Sequence, residues 1–222
     1  MAATKKHPAN MNQEMLWTIL ELDWFSKTSY NLAIKYISIW SPQHLLRILN
    51  CCIAFINLYP GNVPAQISED LSLRKMFCEF SAATALIGLA RGQDDKKLSL
   101  QDYVNLRKHV KSYDQLLQEK LPTILPDDGP AKDLLCKLAV LIAFDFEAAC
   151  HLKSWDQLGE IIMRSEICAS PQMYELMADC ILSIEGLSAD RLSPYPEFLS
   201  TTNNNDSARN DIEEDTQSSL GA

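Results

Sequence analysis

Only a few places in this chain of 222 residues combine side chains that could do chemistry. The aspartate pairs Asp94-Asp95 and Asp127-Asp128 suggest an all-α synthase, in which carboxylates one helical turn apart share magnesium ions. Lys96-Lys97 follows the first pair and Gly129-Pro130 the second, so neither has the distal carboxylate, and both read as turn or capping residues. A di-iron bundle needs paired Glu-x-x-His motifs on facing helices, and the sequence contains none. Cys150-His151 and Cys51-Cys52 suggest thiol or metal chemistry, but neighbours on a helix point ~100° apart. With no Cys-x-x-Cys pair in the chain, core packing is the better reading for these residues. A Cys and His dyad that meets only in the fold is left open by spacing. Gly88 and Gly92 are not followed by a Lys-Ser pair, so no phosphate loop is present.

The remaining candidates concern recognition. Arg107-Lys108-His109-Val110-Lys111 is the one concentrated basic patch, able to receive an acidic partner or nucleic acid. Asp102, Asp114 and Glu119 share its helix, which favours a solvated face. The acidic run Asp211 to Asp215, with Thr216 and Ser218 beside it, could dock on a basic protein or be phosphorylated, although an unbound tail is the default. Tyr30-Asn31 sits in the aromatic-rich stretch Trp24 to Tyr36, in which Trp24, Phe25, Leu32 and Tyr36 are expected to hold the helical array together. Asn inside a helix costs roughly a few tenths of a kcal/mol relative to Ala. Its place between Tyr30 and Leu32 therefore asks for a reason, either as a spacer between helices or as a partner-binding group.

The elements that must position these residues are helices. Met15, Leu16, Ile19, Leu22, Phe25, Leu32, Tyr36 and Ile39 recur mostly at spacings of three and four, predicting one long helix or two abutting ones over about 12–39, capped by Asn10 or Asn12. Ser41-Pro42 ends it and starts a second over 42–58. The break Tyr59 to Pro64 precedes a third over about 70–90, starting near Ser68 or Asp70, whose Ser81, Ala82, Ala83, Ala85 and Gly88 would admit a close neighbour. A polar fourth helix takes about 98–121, and Pro122, Pro126, Gly129 and Pro130 mark the next break. The fifth, about 130–152, is apolar nearly all round and should be central. Two more follow over about 154–168 and 171–185. No segment alternates with period two, so no sheet is expected.

These readings give an all-α, antiparallel helical array over 12–187, flanked by a disordered N-terminus over 1–11 and a disordered acidic tail over 188–222. No clean repeat appears at the 34-residue tetratricopeptide period. The net charge is −9, and residues 190–222 carry −5 of it, seven carboxylates against two arginines. Such a surface repels phosphate and argues against broad nucleic-acid binding. Seven cysteines sit in apolar helical runs and are expected to be reduced and buried in a cytosolic or nuclear protein. Neither a secretory leader nor an uncharged apolar run of membrane-spanning length is read from the sequence.

A resemblance sharpens this picture. Glu21-Leu22-Asp23-Trp24-Phe25-Ser26 leads into Ser29-Tyr30-Asn31-Leu32-Ala33, then come Asp70 to Cys78, Tyr103 to His109, Phe146-Glu147-Ala148-Ala149 with Trp155-Asp156-Gln157-Leu158, and Met177-Ala178-Asp179. In that order these runs, spanning roughly 14–187, resemble the C-terminal region of the fungal meiotic scaffold family Spo-twenty-two, also called Zip-four, related to a mammalian testis-expressed protein. The resemblance implies a degenerate tetratricopeptide-like α-solenoid, without catalysis or cofactor, in the nucleus and associated with chromosomes. Its implied partners are other proteins of the crossover and synaptonemal complex machinery, not small molecules, membranes or nucleic acid. An aromatic-Asn pair docks a partner in that family, and Tyr30 and Asn31 match it. Family members are usually much longer, so a fragment or truncated member is expected. A generic helical-repeat adapter outside meiosis is the alternative.

Overall fold

The computed structural model describes residues 17–120 and 129–183. These form seven α-helices and no strand: α1 (Ile19–Tyr36), α2 (Pro42–Asn57), α3 (Ala65–Arg91), α4 (Lys96–Lys120), α5 (Gly129–His151), α6 (Leu158–Ser165) and α7 (Pro171–Leu182). Each helix from α1 to α4 packs on the next, and α5 packs on α3, α4, α6 and α7. The expected all-α array is therefore what the chain builds. The expected disorder of 1–11 and 188–222, and the break at Pro122 and Pro126, lie outside the described residues.

Local chemistry explains where the helices start. Thr18 and Glu21 form a reciprocal capping box, Thr18 Oγ1 accepting from the Glu21 amide and Glu21 Oε2 accepting from the Thr18 amide at 2.8 Å. The described first helix thus begins at Ile19 and ends at Tyr36, while the predicted start near residue 12 falls outside the description. Helix α3 begins at Ala65, earlier than the predicted 70, because Pro64 in an extended conformation occupies the cap position. Asp95 Oδ1 accepts from the amides of Lys97 and Leu98, which makes Asp95 the cap of α4. Ser170 Oγ caps α7 by accepting from the Met173 amide, with Pro171 following it.

One predicted element divides. In place of a single helix over 154–168, α6 is eight residues long with a 3-10 turn at each end, Trp155–Gln157 and Glu166–Cys168. The boundary before it is a Schellman turn: the Ser154 amide donates to Ala149 O and the Lys153 amide to Cys150 O. Lys153 takes the left-handed conformation, φ 58°, that this turn requires.

Two apolar clusters fill the array, and α3 supplies both. Leu71, Cys78 and Ala82 join Ala33 of α1 and Leu45, Leu49, Cys52 and Ile56 of α2. Met76, Ala83, Leu86, Ile87 and Ala90 join the second cluster with α4, α5, α6 and α7. Ala82, Ala83 and Ala85 are buried, as their small size suggested, but a Cβ placed on Gly88 would meet nothing within 4 Å. Gly88 therefore provides no close approach.

Candidate interaction site

Helix α1 places Tyr30 and Asn31 differently. Tyr30 is half-buried, its ring edge-on to Phe77 of α3 at a centroid distance of 5.2 Å, with the Arg74 guanidinium 5.7 Å from the same centroid. Burial pushes the Tyr30 hydroxyl above its ordinary pKa, so it remains a neutral phenol. Asn31 is exposed, and its amide makes no hydrogen bond among the described residues. Of the pair, Tyr30 is the fixed member and Asn31 the one presented to solvent.

Beneath them lies a buried polar plug. Arg74, 6% exposed, donates from Nη1 to Ser26 Oγ at 3.0 Å and from Nη2 to Asp70 Oδ2 at 2.5 Å. Cys52 Sγ donates to Ser26 O at 3.4 Å, tying α2 to the same point. Guanidinium, hydroxyl and thiol thus find partners where α1, α2 and α3 meet, which holds the backbone under Tyr30 in one arrangement.

On the outer face of α1, Leu20, Trp24, Asn31 and Ile34 form a row at spacings of four, seven and three residues. Leu20 is 82% exposed and Trp24 61%, which corrects the reading of Trp24 as a residue that holds the array together. That work falls to Phe25, stacked on Phe55 of α2 at 5.0 Å and met edge-on by Trp17 at 5.2 Å. Tyr36 stacks on Trp40 at 4.7 Å, within the turn that closes α1.

The other sequence candidates resolve as structural groups. The basic patch on α4 splits: Arg107 Nε donates to Asp145 Oδ1 at 2.7 Å, His109 Nδ1 lies 2.5 Å from Glu79 Oε2, and Lys108 and Lys111 stay exposed. Cys150 is buried while His151 is exposed and stacks on Tyr103. Burial raises the Cys150 thiol to about 12, opposite to what a nucleophile needs. Cys51 and Cys136 are exposed, contrary to the expectation that all seven cysteines are buried. Among the described residues no group of His, Cys, Asp and Glu could hold a metal ion, and no helix is long and apolar enough to cross a membrane. Asp127-Asp128 lies outside the described residues.

Sequence reasoning missed the ion networks that tie both α3 and α6 to α4 and α5. Asp145, 3% exposed, accepts from Arg107 and from Arg164 Nη1 at 3.2 Å, and Arg164 Nε also donates to Asp114 Oδ2 at 3.0 Å. Glu147 accepts from Arg91 Nε at 2.9 Å and from the Tyr103 hydroxyl at 3.0 Å. Buried Glu79 takes His109 on one oxygen and Ser112 Oγ, at 2.7 Å, on the other. The available signal was the presence of Asp145 and Glu147 inside an otherwise apolar helix, since carboxylates are rarely buried without a partner.

Comparison of the chain with protein-family models, with curated proteins and with solved structures returns no match.

Proposed function

We propose that the chain is a non-catalytic interaction scaffold whose helical array presents Asn31 to a protein partner, and that it serves meiotic crossover formation and synaptonemal complex assembly in the nucleus. The observation that carries the docking role is Asn31 itself: an exposed helical amide with no hydrogen-bond partner among the described residues, between Trp24 and Ile34 and beside a tyrosine held by Phe77 and Arg74. A partner burying Trp24 and Ile34 would gain apolar area, and the amide would supply both a donor and an acceptor to set its register. The meiotic setting rests on the ordered motifs from Glu21 to Asp179 and on their resemblance to the Spo-twenty-two scaffolds, whose tetratricopeptide-like solenoid would account for a helical array without regular repeats. The absence of catalysis is part of the same reading, supported by thiols that burial keeps protonated and carboxylates engaged in ion pairs.

The test is capture of synaptonemal-complex proteins from meiotic cells by the wild-type chain and by Asn31→Ala. The amide makes no hydrogen bond among the described residues and Ala is the better helix former, so Asn31→Ala should melt at or slightly above the wild type and lose most of its capture. Equal capture by both proteins removes the docking role, and expression of the chain throughout vegetative growth would favour the generic adapter. Tyr30→Ala is unsuitable as the sole variant, because it also removes the Phe77 contact.

A further inference from the structure

A cleft of about 710 Å³ beside the ion networks lies between α4 and α6, with Asp145 in its lining. Along α4 its wall includes the row Lys108, Lys111, Gln115 and Gln118, at spacings of three, four and three residues, together with Arg107 and Asp114. The facing wall comprises Gln157, Glu160, Ile161 and Arg164.

Pairing inside the cleft determines what it can attract. Arg107 and Arg164 are matched by Asp145 and Asp114 through contacts of 2.7 to 3.2 Å, which leaves that part of the lining neutral. Lys111 has no carboxylate partner among the described residues, and Lys108 Nζ donates only to the neutral Asn105 Oδ1 at 3.1 Å. Arg164 Nη2 is shut off from solvent and lacks a hydrogen bond of good geometry, although Asp114 Oδ2 lies 2.8 Å away. Against these donors stands one uncommitted carboxylate, Glu160. The cleft is thus a cationic, donor-rich trough on a chain of net charge −9. Its occupant should be an extended acidic peptide, which supplies carboxylates to the ammonium row and backbone groups to Gln115, Gln118 and Gln157.

The chain contains such a peptide. Asp211-Ile212-Glu213-Glu214-Asp215 carries four carboxylates and lies outside the described residues, twenty-eight positions beyond Ser183. A connection of that length reaches up to ~90 Å when extended, more than twice the ~40 Å of the 27-residue α3. Tethering places the segment at an effective concentration of order millimolar, enough to populate a weak ionic contact that a free peptide would make only at high dose. We propose that the acidic segment Asp211 to Asp215 of this chain occupies the cleft between α4 and α6, held by Lys108 and Lys111. The segment thereby shields the cleft from acidic segments of other proteins.

The test uses the full chain and a fluorescein-labelled peptide of residues 207–218, followed by fluorescence anisotropy at low salt. Neutralising the tail with Asp211→Asn, Glu213→Gln, Glu214→Gln and Asp215→Asn frees the cleft, so the labelled peptide should bind at least about threefold tighter than to the wild type. Adding Lys108→Glu and Lys111→Glu to that variant should abolish binding while leaving the circular dichroism spectrum unchanged. Rising salt should weaken the binding. Equal affinity for the wild type and the tail-neutral chain overturns the proposal, because the native segment is then not the occupant. Undiminished binding after the lysine reversals, or no binding to the tail-neutral chain, overturns it as well.

Discussion

Asp145→Ala should be among the most damaging single substitutions outside the apolar clusters. The carboxylate is 3% exposed and lies 2.7 Å from Arg107 Nε and 3.2 Å from Arg164 Nη1. Breaking a buried pair by removing one partner costs about 3–5 kcal/mol, mostly because a charge is left without its counterion. Here two guanidinium groups lose their shared anion, but each retains another partner: Arg107 Nη1 donates to Gln157 Oε1 at 2.7 Å, and Arg164 keeps Asp114. Their side chains are also about a quarter exposed, so water relieves part of the loss. We therefore place the cost at the lower end, about 3 kcal/mol. That corresponds to a fall in Tm of roughly 6–12 °C for a chain of this size. Urea unfolding followed by circular dichroism gives the measurement, with an unchanged m-value as the condition for reading the midpoint shift as stability. The quadruple replacement Arg107→Met, Asp114→Leu, Asp145→Leu, Arg164→Met provides a control, since exchanging a whole buried ion cluster for apolar groups is often close to neutral. A cost below about 1 kcal/mol for Asp145→Ala would refute the reasoning, because the network would then behave as a surface salt bridge.

Three further outcomes follow from the same structure. Gly88→Ala should stabilise the chain by about 0.5–1 kcal/mol, since the added methyl meets nothing and Ala is the better helix former, and a lower Tm would contradict the open space at Gly88. Lys153→Gly should add about 0.5–1 kcal/mol by relieving the positive φ at the end of α5, read as a higher urea midpoint. Burial raises the thiols of Cys150, Cys168 and Cys180 from 9.0 to about 12, 11 and 11. A raised folded pKa gives stability that is complete below pH 9 and is lost as pH climbs toward 11 to 12, because the unfolded chain releases these protons first. Urea midpoints under reducing conditions should therefore fall between pH 9 and pH 11, and replacing the three cysteines with alanine should flatten the decline.

Helix existence was legible because it follows from periodicity and punctuation that act locally. Ser41-Pro42, Ser170-Pro171 and the Pro60 to Pro64 break each mark a boundary that the structure keeps within a few residues. The first helix was harder to delimit. An apolar pattern continues on both sides of Thr18, and only the reciprocal bonds between Thr18 and Glu21 select Ile19 as the first described helical residue. The division of 154–168 was hidden as well, since neither 3-10 turn, Trp155–Gln157 or Glu166–Cys168, contains a glycine or proline to mark it. At the candidate site the sequence singled out Tyr30 and Asn31 but could not separate their burial. That difference depends on Phe77 and Arg74, more than forty positions away on α3. Trp24 was misread for the converse reason: aromatic residues usually pack inside, and nothing local reveals that the neighbouring Phe25 takes the inward position.

The buried ion pairs bear on a problem that an irregular array must solve. A solenoid of identical repeats sets the register of each helix through a recurring apolar pattern, but α3, α4 and α5 share no such period, and a wide apolar face such as that of α5 would tolerate sliding by a turn. A sliding helix would have to carry its carboxylates with it. Moving α5 by one turn, ~5.4 Å, would take Asp145 from Arg107 and Glu147 from Arg91 and Tyr103 together, leaving charged groups inside the packing. Glu79 likewise fixes α3 against α4 through His109 and Ser112, and Arg74 fixes α3 against α1 through Ser26. Such pairs contribute little net stability relative to apolar substitutes, so their value lies in making misregistered packings costly. The arrangement also bears on function, because the Arg74 contact that sets α3 against α1 is the one beneath Tyr30. An error of register at that joint would displace Asn31 from the row it forms with Leu20, Trp24 and Ile34 without unfolding any helix. Arg74→Met should accordingly impair partner capture more than it lowers Tm, whereas Arg107→Met, remote from α1, should affect stability alone.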